Sequence, residues 1–271
     1  MPEGHTIHRA AGDQRPVLVG QVVRASSPQG RFVDGAKLLD RARVVAIEAH
    51  GKHLFYRFER RGVTRILHVH LGLAGRFRWR ATPPPPPRGA VRLRLVAPDK
   101  TLDLSGPLVC ELVDELTAAA IRDRLGPDPL IPRTTAAALA RRLATTRVPI
   151  GATLLDQAIV AGLGNVYRAE LLFLAKIDPR RPSNALTPDE VRRLWDFARR
   201  LLRAGVTTGR IATLDVALPG VAHAVSLVTP SRGRHRRTFV YKQRTCRVCA
   251  SAVASARLAG RPCFYCPSCQ F

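Results

Sequence analysis

Long apolar stretches are missing from the sequence. No window holds the ~18 consecutive apolar residues that a membrane-spanning helix needs, and no basic segment followed by an apolar run opens the chain. The sequence therefore predicts a cytoplasmic protein that is neither secreted nor bound to a membrane. A hydrophobic fraction of 46% and a mean hydropathy of −0.05 still allow the 271 residues to bury real cores. This composition excludes wholesale disorder and collagen-like structure.

Acidic residues are also scarce, and the last of them in the chain is Asp215. The sequence has 20 Asp and Glu against 44 Lys and Arg, which gives a formal net charge of +24. Only five of these cations are lysines, and the planar arginine fork is the better one for bidentate phosphate binding. The codon bias of a GC-rich genome explains much of the arginine excess, but it does not explain a final 56 residues without a carboxylate. We therefore expect a polyanionic partner, with nucleic acid the first candidate.

Residues 17–113 are rich in β-branched side chains that partly alternate with polar ones, a pattern typical of strands. The predicted strands include segments 17–23, 42–47, 54–58, 64–70 and 91–96. Five consecutive prolines, 83–87, predict an extended and exposed loop between two of them. A short helix that begins at Pro2 is expected to precede the strands. The first part of the chain is thus predicted to be a β-sandwich or a barrel.

After about Leu116 the pattern changes to that of helices, at 117–120, 134–144, 166–175 and 188–204. The clearest is 188–204, because Thr187 and Glu190 have the spacing of a capping box and Gly205 follows as a stop signal. Asn165 precedes the helix predicted at 166–175 and is the type of residue that caps a helix N-terminus.

Four of the six cysteines form two Cys-x2-Cys pairs, sixteen residues apart. These are Cys246, Cys249, Cys266 and Cys269. Four thiolates satisfy tetrahedral Zn²⁺ and leave no open position, so the pattern predicts one structural zinc ion rather than a catalytic one. Cys263 is left over and is taken as a non-ligand. The segment 257–261 between the pairs predicts a basic hairpin tip that can reach a phosphate.

The glycine-rich turn at 162–165 leads into a helix N-terminus, where backbone N–H groups and the helix dipole attract anions. Gly164 and Asn165 are therefore candidate phosphate ligands, although a turn that merely joins two helices is the commoner use of glycine. Lys52 lies in a connection between two strands, and its position taken alone favours a solvated turn residue over a functional one. Histidines 50, 53, 68 and 70 are interpreted as packing or surface residues, because no metal-ligand spacing accompanies them.

The N-terminus carries a more specific chemical possibility. Removal of Met1, which a small second residue permits, would leave Pro2 with a free secondary amine. Such an amine attacks aldehydes and sugar C1′ carbons, and the iminium that results acidifies a neighbouring C–H bond. Glu3 is placed to exchange protons beside it. The alternative is that Pro2 and Glu3 only begin a helix, for which both are suitable.

Taken together, these pieces resemble the formamidopyrimidine-DNA glycosylase and endonuclease VIII family over essentially the whole chain. The matching segments are Pro2-Glu3-Gly4, Gly51-Lys52, 70–75, 154–157, 160–167 and the four-cysteine ribbon that ends at Gln270. The resemblance implies an α+β protein with three domains: an N-terminal catalytic β-sandwich with a leading helix (1–116), a helical helix–two-turn–helix domain (117–237) and a zinc-ribbon finger (238–271).

The same resemblance implies roles for individual residues. Pro2 is expected to be the nucleophile that forms a Schiff base, Glu3 the proton donor and acceptor, and Lys52 a contact to the phosphate and sugar at the lesion. Asn165 and Arg261 are expected to bind DNA phosphates. Leu73 is expected to fill the gap that a flipped base leaves. Glu170 falls on a family glutamate position and is expected to take part in DNA binding. These expectations describe a monomeric bifunctional glycosylase and abasic-site lyase that acts on damaged double-stranded DNA by β,δ-elimination.

Two departures from the family pattern bear on the substrate. The segment 103–108 has no clear counterpart of the Arg-Phe-Gly that oxidised-purine enzymes direct at the opposite base, and 240–246 lacks the usual Tyr-Gly-Arg or Tyr-Asp-Arg. The start Pro-Glu-Gly-His-Thr is closer to the endonuclease VIII side, which favours oxidised pyrimidines. An oxidised-purine glycosylase of the same family is the alternative. The lesion pocket is expected within 213–237, and the residues of this segment do not indicate which lesion it prefers.

Two other classes of protein account for part of the sequence. A non-catalytic zinc-ribbon DNA-binding protein would keep the charge and the cysteines but would not need Pro2, Glu3 or Lys52. An RNA-binding or ribosome-associated protein would also be basic, but aromatic residues make up only 6% of the chain and no aromatic-rich strand motif is present.

Overall fold

The computed structural model describes residues 2–214, 216 and 237–271, and the chain divides into two compact units, 1–124 and 125–271. The three-domain division expected from the sequence stays a prediction. Among the residues that the structure describes, no helix has both the length and the apolarity to cross a membrane.

The first unit opens with helix α1 (Gly4–Leu18), for which Glu3 is the N-cap residue. The prediction of a short helix that begins at Pro2 was wrong in start and in length, because the helix begins two residues later and has 15 residues. The predicted strand 17–23 was also wrong in its first half. Leu18 is a fully buried residue of α1 that packs into the core, and an apolar helix end looks like a strand in the sequence.

Strands and two further helices follow α1 in the first unit. They are β1 (Val22–Ser26), α2 (Val33–Leu39), β2 (Ala42–His50), β3 (His53–Arg60), β4 (Val63–His70), β5 (Arg76–Ala81), β6 (Val91–Val96), β7 (Lys100–Ser105), β8 (Val109–Val113) and α3 (Glu115–Asp123). Helix α2 was not predicted. The strand order β5-β7-β6-β1-β2-β3-β4-β8 shows that β1 pairs with both β2 and β6 and so joins two antiparallel halves. Apolar side chains from both halves share one core, which confirms the predicted sandwich.

The second unit is helical before its terminal hairpin. Among its described residues the helices are α4 (Ala136–Leu143), α5 (Ile150–Thr153), α6 (Asn165–Leu174) and α7 (Pro188–Thr208), and a 3-10 turn lies at Ser183–Ala185. The capping box of α7 is confirmed, since Thr187 and Glu190 cap each other's backbone. The predicted stop at Gly205 was wrong: Gly205 is buried inside the helix, and the left-handed residue that ends it is Gly209, with φ 72°.

Strands β9 (Ala254–Leu258) and β10 (Arg261–Tyr265) form the terminal hairpin, with Arg261 opposite Leu258 at its tip. The two tip residues between them, Ala259 and Gly260, have φ 50° and 71°. The four paired cysteines flank this hairpin. The predicted fold class, an α+β protein with a β-sandwich, a helical part and a four-cysteine hairpin, is therefore confirmed.

Candidate active site and nucleic-acid interface

Pro2 and Glu3 stand at the start of helix α1. Glu3 is fully buried, and its backbone carbonyl accepts a hydrogen bond from the Thr6 N–H at 2.9 Å, as expected of an N-cap residue. Its carboxylate does not cap the helix, so the local turn does not account for the acidic side chain. Next to them, burial lowers the pKa of His5 to about 4 and keeps this histidine neutral near pH 7.

Lys52 lies in the tight turn between β2 and β3. The preceding Gly51 has φ 57°, in the left-handed region where glycine costs least, which explains the glycine of this motif. Lys52 is half-buried. The residues on either side of the turn, His50 and His53, are directly opposite each other, and His53 is in turn opposite His70 on β4. Strand pairing therefore assembles a row of histidines beside Lys52, on one face of the sheet.

Leu73 lies in the turn that follows β4. The turn is closed by a 2.9 Å hydrogen bond from the Gly75 N–H to the Leu71 carbonyl, and a Cβ on Gly75 would come within 2.3 Å of that oxygen. The Gly72 N–H also donates to His70 Nδ1 at 3.0 Å. Leu73 itself is 70% exposed. A fixed turn that presents a large apolar side chain to solvent is the arrangement that an inserting wedge requires.

Asn165 is the first residue of helix α6, and Gly164 is its N-cap residue. The prediction that Asn165 caps this helix was therefore wrong. Its side-chain oxygen instead accepts a hydrogen bond from Arg168, and its Nδ2 donates to the Pro262 carbonyl at 3.2 Å. Because a guanidinium can only donate, this contact fixes the orientation of the Asn165 amide.

Arg168 connects helix α6 to the tip of the hairpin. The sequence did not indicate this role. The Arg168 side chain is fully buried. Besides Asn165, it donates to the carbonyls of Gly151 (2.9 Å), Leu258 (3.1 Å), Arg261 (3.4 Å) and Pro262 (3.1 Å). The backbone of Arg261 is thus held inside while its own side chain is exposed. No local pattern signals this role, because the acceptors at the hairpin are main-chain carbonyls about 90 residues away in the sequence.

Glu170, two residues further along α6, is also fully buried. Its carboxylate accepts hydrogen bonds from the Thr213 hydroxyl and from the N–H groups of Phe239 (2.7 Å), Val240 (2.9 Å) and Tyr241 (2.9 Å). Burial raises the pKa of Glu170, and these donors oppose the rise. These contacts all lie inside the protein, so any effect of Glu170 on DNA binding acts through the backbone segments that it holds.

The four paired cysteines converge as a metal site would require. Their ligand atoms lie within 4.8 Å of one another, with Sγ–Sγ distances of 3.4 Å from Cys249 to both Cys266 and Cys269. Four sulfurs bound about 2.3 Å from one ion in a tetrahedron lie roughly 3.8 Å apart. These distances fit shared coordination and are much too long for a disulfide. Cys263 is buried on β10, outside the cluster.

Comparisons with known proteins agree over the whole chain. Residues 1–107 match the model of the formamidopyrimidine-DNA glycosylase N-terminal domain, and residues 125–216 match that of the formamidopyrimidine-DNA glycosylase H2TH domain. Endonuclease 8 1 of Mycobacterium tuberculosis is 41% identical over 276 residues, with 100% of both chains covered. Formamidopyrimidine-DNA glycosylase of Thermus thermophilus is 30% identical over 285 residues, covering 100% of this chain and 98% of that protein.

Solved structures share the fold. The Lactococcus lactis formamidopyrimidine-DNA glycosylase in complex with DNA containing N7-benzyl-Fapy-dG has a TM-score of 0.78 at 23% identity, with 99% of both chains covered. The same protein in complex with abasic-site DNA has a TM-score of 0.77 at 22% identity, again with 99% of both chains covered.

Proposed function

The chain belongs to the formamidopyrimidine-DNA glycosylase family, the DNA glycosylases of base excision repair, and on this premise we propose that it is a bifunctional glycosylase and abasic-site lyase that favours oxidised pyrimidines. The observation that carries the proposal is at the N-terminus. Glu3 is buried beside Pro2, and its carboxylate is not used to cap the helix that it begins.

In the proposed reaction, the lesion is extruded from the duplex and Pro2 attacks C1′ of its sugar. Extrusion costs a few kcal/mol and costs least for a damaged, poorly stacked base. The attack forms the Pro2–C1′ bond as the bond from C1′ to the base breaks, and Glu3 exchanges the proton that base loss requires. The C1′–O4′ bond of the sugar ring then breaks, O4′ takes up the proton that the Pro2 nitrogen releases, and an iminium remains between Pro2 and C1′. The iminium acidifies C2′, so that elimination removes the 3′ phosphate and then the 5′ phosphate.

Binding of double-stranded DNA is proposed to rest on separate groups in the two units. Lys52 contacts the phosphate and sugar at the lesion, and Leu73 fills the space that the extruded base vacates. In the second unit, Asn165, with the adjacent Gly164 backbone, and Arg261 bind phosphates, which carry no base identity. Their support is that the Arg261 side chain is exposed, and that Arg168 donates hydrogen bonds to the Arg261 carbonyl and to the Asn165 amide oxygen.

The metal is proposed to be one structural Zn²⁺ held by Cys246, Cys249, Cys266 and Cys269. With four thiolates and no open position, the ion supplies folding free energy to the hairpin. The chemistry at the sugar is assigned to the protein's own residues.

Preference for oxidised pyrimidines is supported by the Pro-Glu-Gly-His-Thr start and by the 41% identity to endonuclease 8 1, against 30% to the Thermus formamidopyrimidine-DNA glycosylase. Duplexes that carry one thymine glycol, one 8-oxoguanine or one abasic site test the proposal in parallel. We expect faster excision of thymine glycol than of 8-oxoguanine, and a borohydride-trapped adduct with abasic DNA. A 3′ phosphate at the cut indicates β,δ-elimination, and a 3′ unsaturated aldehyde indicates β-elimination alone.

A duplex with an abasic site that is neither cut nor trapped would contradict the enzyme proposal and favour a binding protein. Faster excision of 8-oxoguanine would keep the enzyme and overturn its preference.

A further inference from the structure

Three side chains of the first unit form a hydrogen-bonded chain that ends beside Lys52. His68 Nδ1 lies 2.9 Å from Glu111 Oε1, and His68 Nε2 lies 2.8 Å from His53 Nδ1. The planes of the two rings differ by 10° and their centroids are 5.1 Å apart, as for two rings joined edge to edge by one hydrogen bond. The shared hydrogen therefore lies close to both ring planes, along the acceptor lone pair.

The donor and acceptor groups of this hydrogen-bonded chain show which nitrogen atoms carry a proton. An ionised Glu111 only accepts, so His68 Nδ1 carries a hydrogen. A neutral His68 then accepts at Nε2 from the Nδ1–H of His53. This leaves a lone pair on His53 Nε2, which can accept a proton. His70 differs, because its Nδ1 already accepts from the Gly72 N–H and its Nε2 therefore carries the hydrogen.

The surroundings keep His53 neutral and connect the chain to water. Burial, followed by electrostatic effects of His70, His68, His50 and Lys52, lowers the pKa of His53 to about 3. At the middle of the chain the His68 side chain is only 5% exposed, whereas the Glu111 side chain is 52% exposed.

Two further groups pack around the middle of the chain. The Phe55 ring lies 5.0 Å from that of His68, and Arg122 of helix α3 lies 4.4 Å over Phe55. The middle of the chain is thus shielded from water, and the outer end at Glu111 exchanges protons with solvent.

We propose that His53, His68 and Glu111 relay to solvent the proton that leaves the sugar during strand cleavage. The inference rests on the proposed lyase activity and on the proposed contact of Lys52, the neighbour of His53, with the sugar at the lesion. His53 Nε2 takes the proton from C2′, the C–H electron pair becomes the new double bond, and the C3′–O electrons leave with the phosphate. The Nδ1 proton of His53 passes to His68 Nε2, and the Nδ1 proton of His68 passes to Glu111, which releases it to water.

The decisive variant is His68→Gln. A glutamine can accept from His53 with its carbonyl and donate to Glu111 with its amide, so it can keep both hydrogen bonds, but it cannot pass a proton along. We expect cleavage at a preformed abasic site to slow about 100-fold, the lower end for loss of a general base. Borohydride trapping should change by less than about twofold, since the Schiff base forms before the relay acts. Glu59→Gln, a carboxylate lost at the far end of β3, is the matched control and should cut normally.

Two further measurements keep the inference testable if His68→Gln does not fold. Cleavage by His53→Ala should be restored in part by added imidazole, because a soluble base replaces the lost one. In the wild type, ¹⁵N chemical shifts should show His53 protonated on Nδ1 and unprotonated on Nε2. Normal cleavage by His68→Gln, no rescue by imidazole, or a proton on His53 Nε2 would each overturn the relay. A wild type that never traps abasic DNA would instead overturn the lyase, while the ¹⁵N shifts would still report the chain.

Discussion

Arg168 and Glu170 are two buried charges of opposite sign on the same helix, and they hold different parts of the second unit. Arg168 donates to carbonyls at the hairpin tip, and Glu170 accepts from backbone N–H groups at 239–241 and from Thr213. A buried charge is costly unless its hydrogen bonds are satisfied. Each ion therefore fixes its backbone partners strongly. Helix α6 thus supports the predicted phosphate ligands with Arg168 and a separate backbone segment with Glu170.

The largest effect is expected from loss of the metal, which would release the tip that Arg168 holds. Cys249→Ser removes one of four thiolates, and the affinity for metal supplies the folding free energy of such a hairpin. We expect zinc to fall from one ion per chain to none and DNA to bind at least about tenfold more weakly, since several phosphate contacts are lost together. Metal analysis and DNA titration measure both. Cys263→Ser is the matched control and should retain the metal, and a zinc-free wild type would refute the prediction.

Glu170→Gln should have the next largest effect, on the stability of the fold. The amide keeps one acceptor oxygen, but it turns an NH2 group toward backbone N–H groups that need an acceptor. We expect the free energy of unfolding to drop by about 3 kcal/mol, as for a broken buried network. Chemical denaturation measures the drop, with Asp189→Asn on the exposed start of α7 as a control. A change below about 0.5 kcal/mol would mean that the carboxylate charge is not needed.

Arg168→Lys should affect DNA binding more than folding. Lysine keeps the charge but loses the planar fork that reaches Asn165 and the hairpin carbonyls together. We expect the zinc content to be unchanged and the affinity for DNA of any sequence to fall by about tenfold, or about 1.4 kcal/mol. In a double-mutant cycle with Asn165→Ala, the double mutant should lose less DNA-binding free energy than the two single mutants together, because the lysine already misplaces the Asn165 amide. Simple additivity would show that Arg168 does not act through Asn165.

Arg261→Ala should give the smallest and most specific change. If Arg261 neutralises one phosphate, the slope of log K against log salt should fall in magnitude by about 0.9. Asn165→Ala is the neutral counterpart and should weaken binding without this change in slope. DNA titrations at several salt concentrations measure the slope, and an unchanged slope for Arg261→Ala would remove this residue from the phosphate contacts.

The features that the sequence predicted well depend on residues that are close together in the chain. The capping box of α7 needs only Thr187 and Glu190, and the two cysteine pairs carry their spacing with them. What it missed depends on contacts between distant segments. The histidines beside Lys52 come together through the pairing of β2, β3 and β4, and Arg168 finds its carbonyls across the fold. Element ends were misjudged at Leu18 and Gly205, where burial in a tertiary core outweighed the local signal.

The proposed role of Pro2 as the nucleophile depends on the state of its nitrogen. An amide nitrogen has given its lone pair to the carbonyl and cannot attack carbon, so Pro2 must be the free terminus to react. Two homogeneous preparations, one with Met1 removed and one with Met1 retained, are to be verified by mass spectrometry and incubated with abasic DNA and borohydride. We predict a trapped adduct with the first and none with the second, while zinc content and DNA affinity stay nearly equal. Trapping at the normal rate by the protein that keeps Met1 would contradict the assignment of Pro2 and direct attention to Lys52.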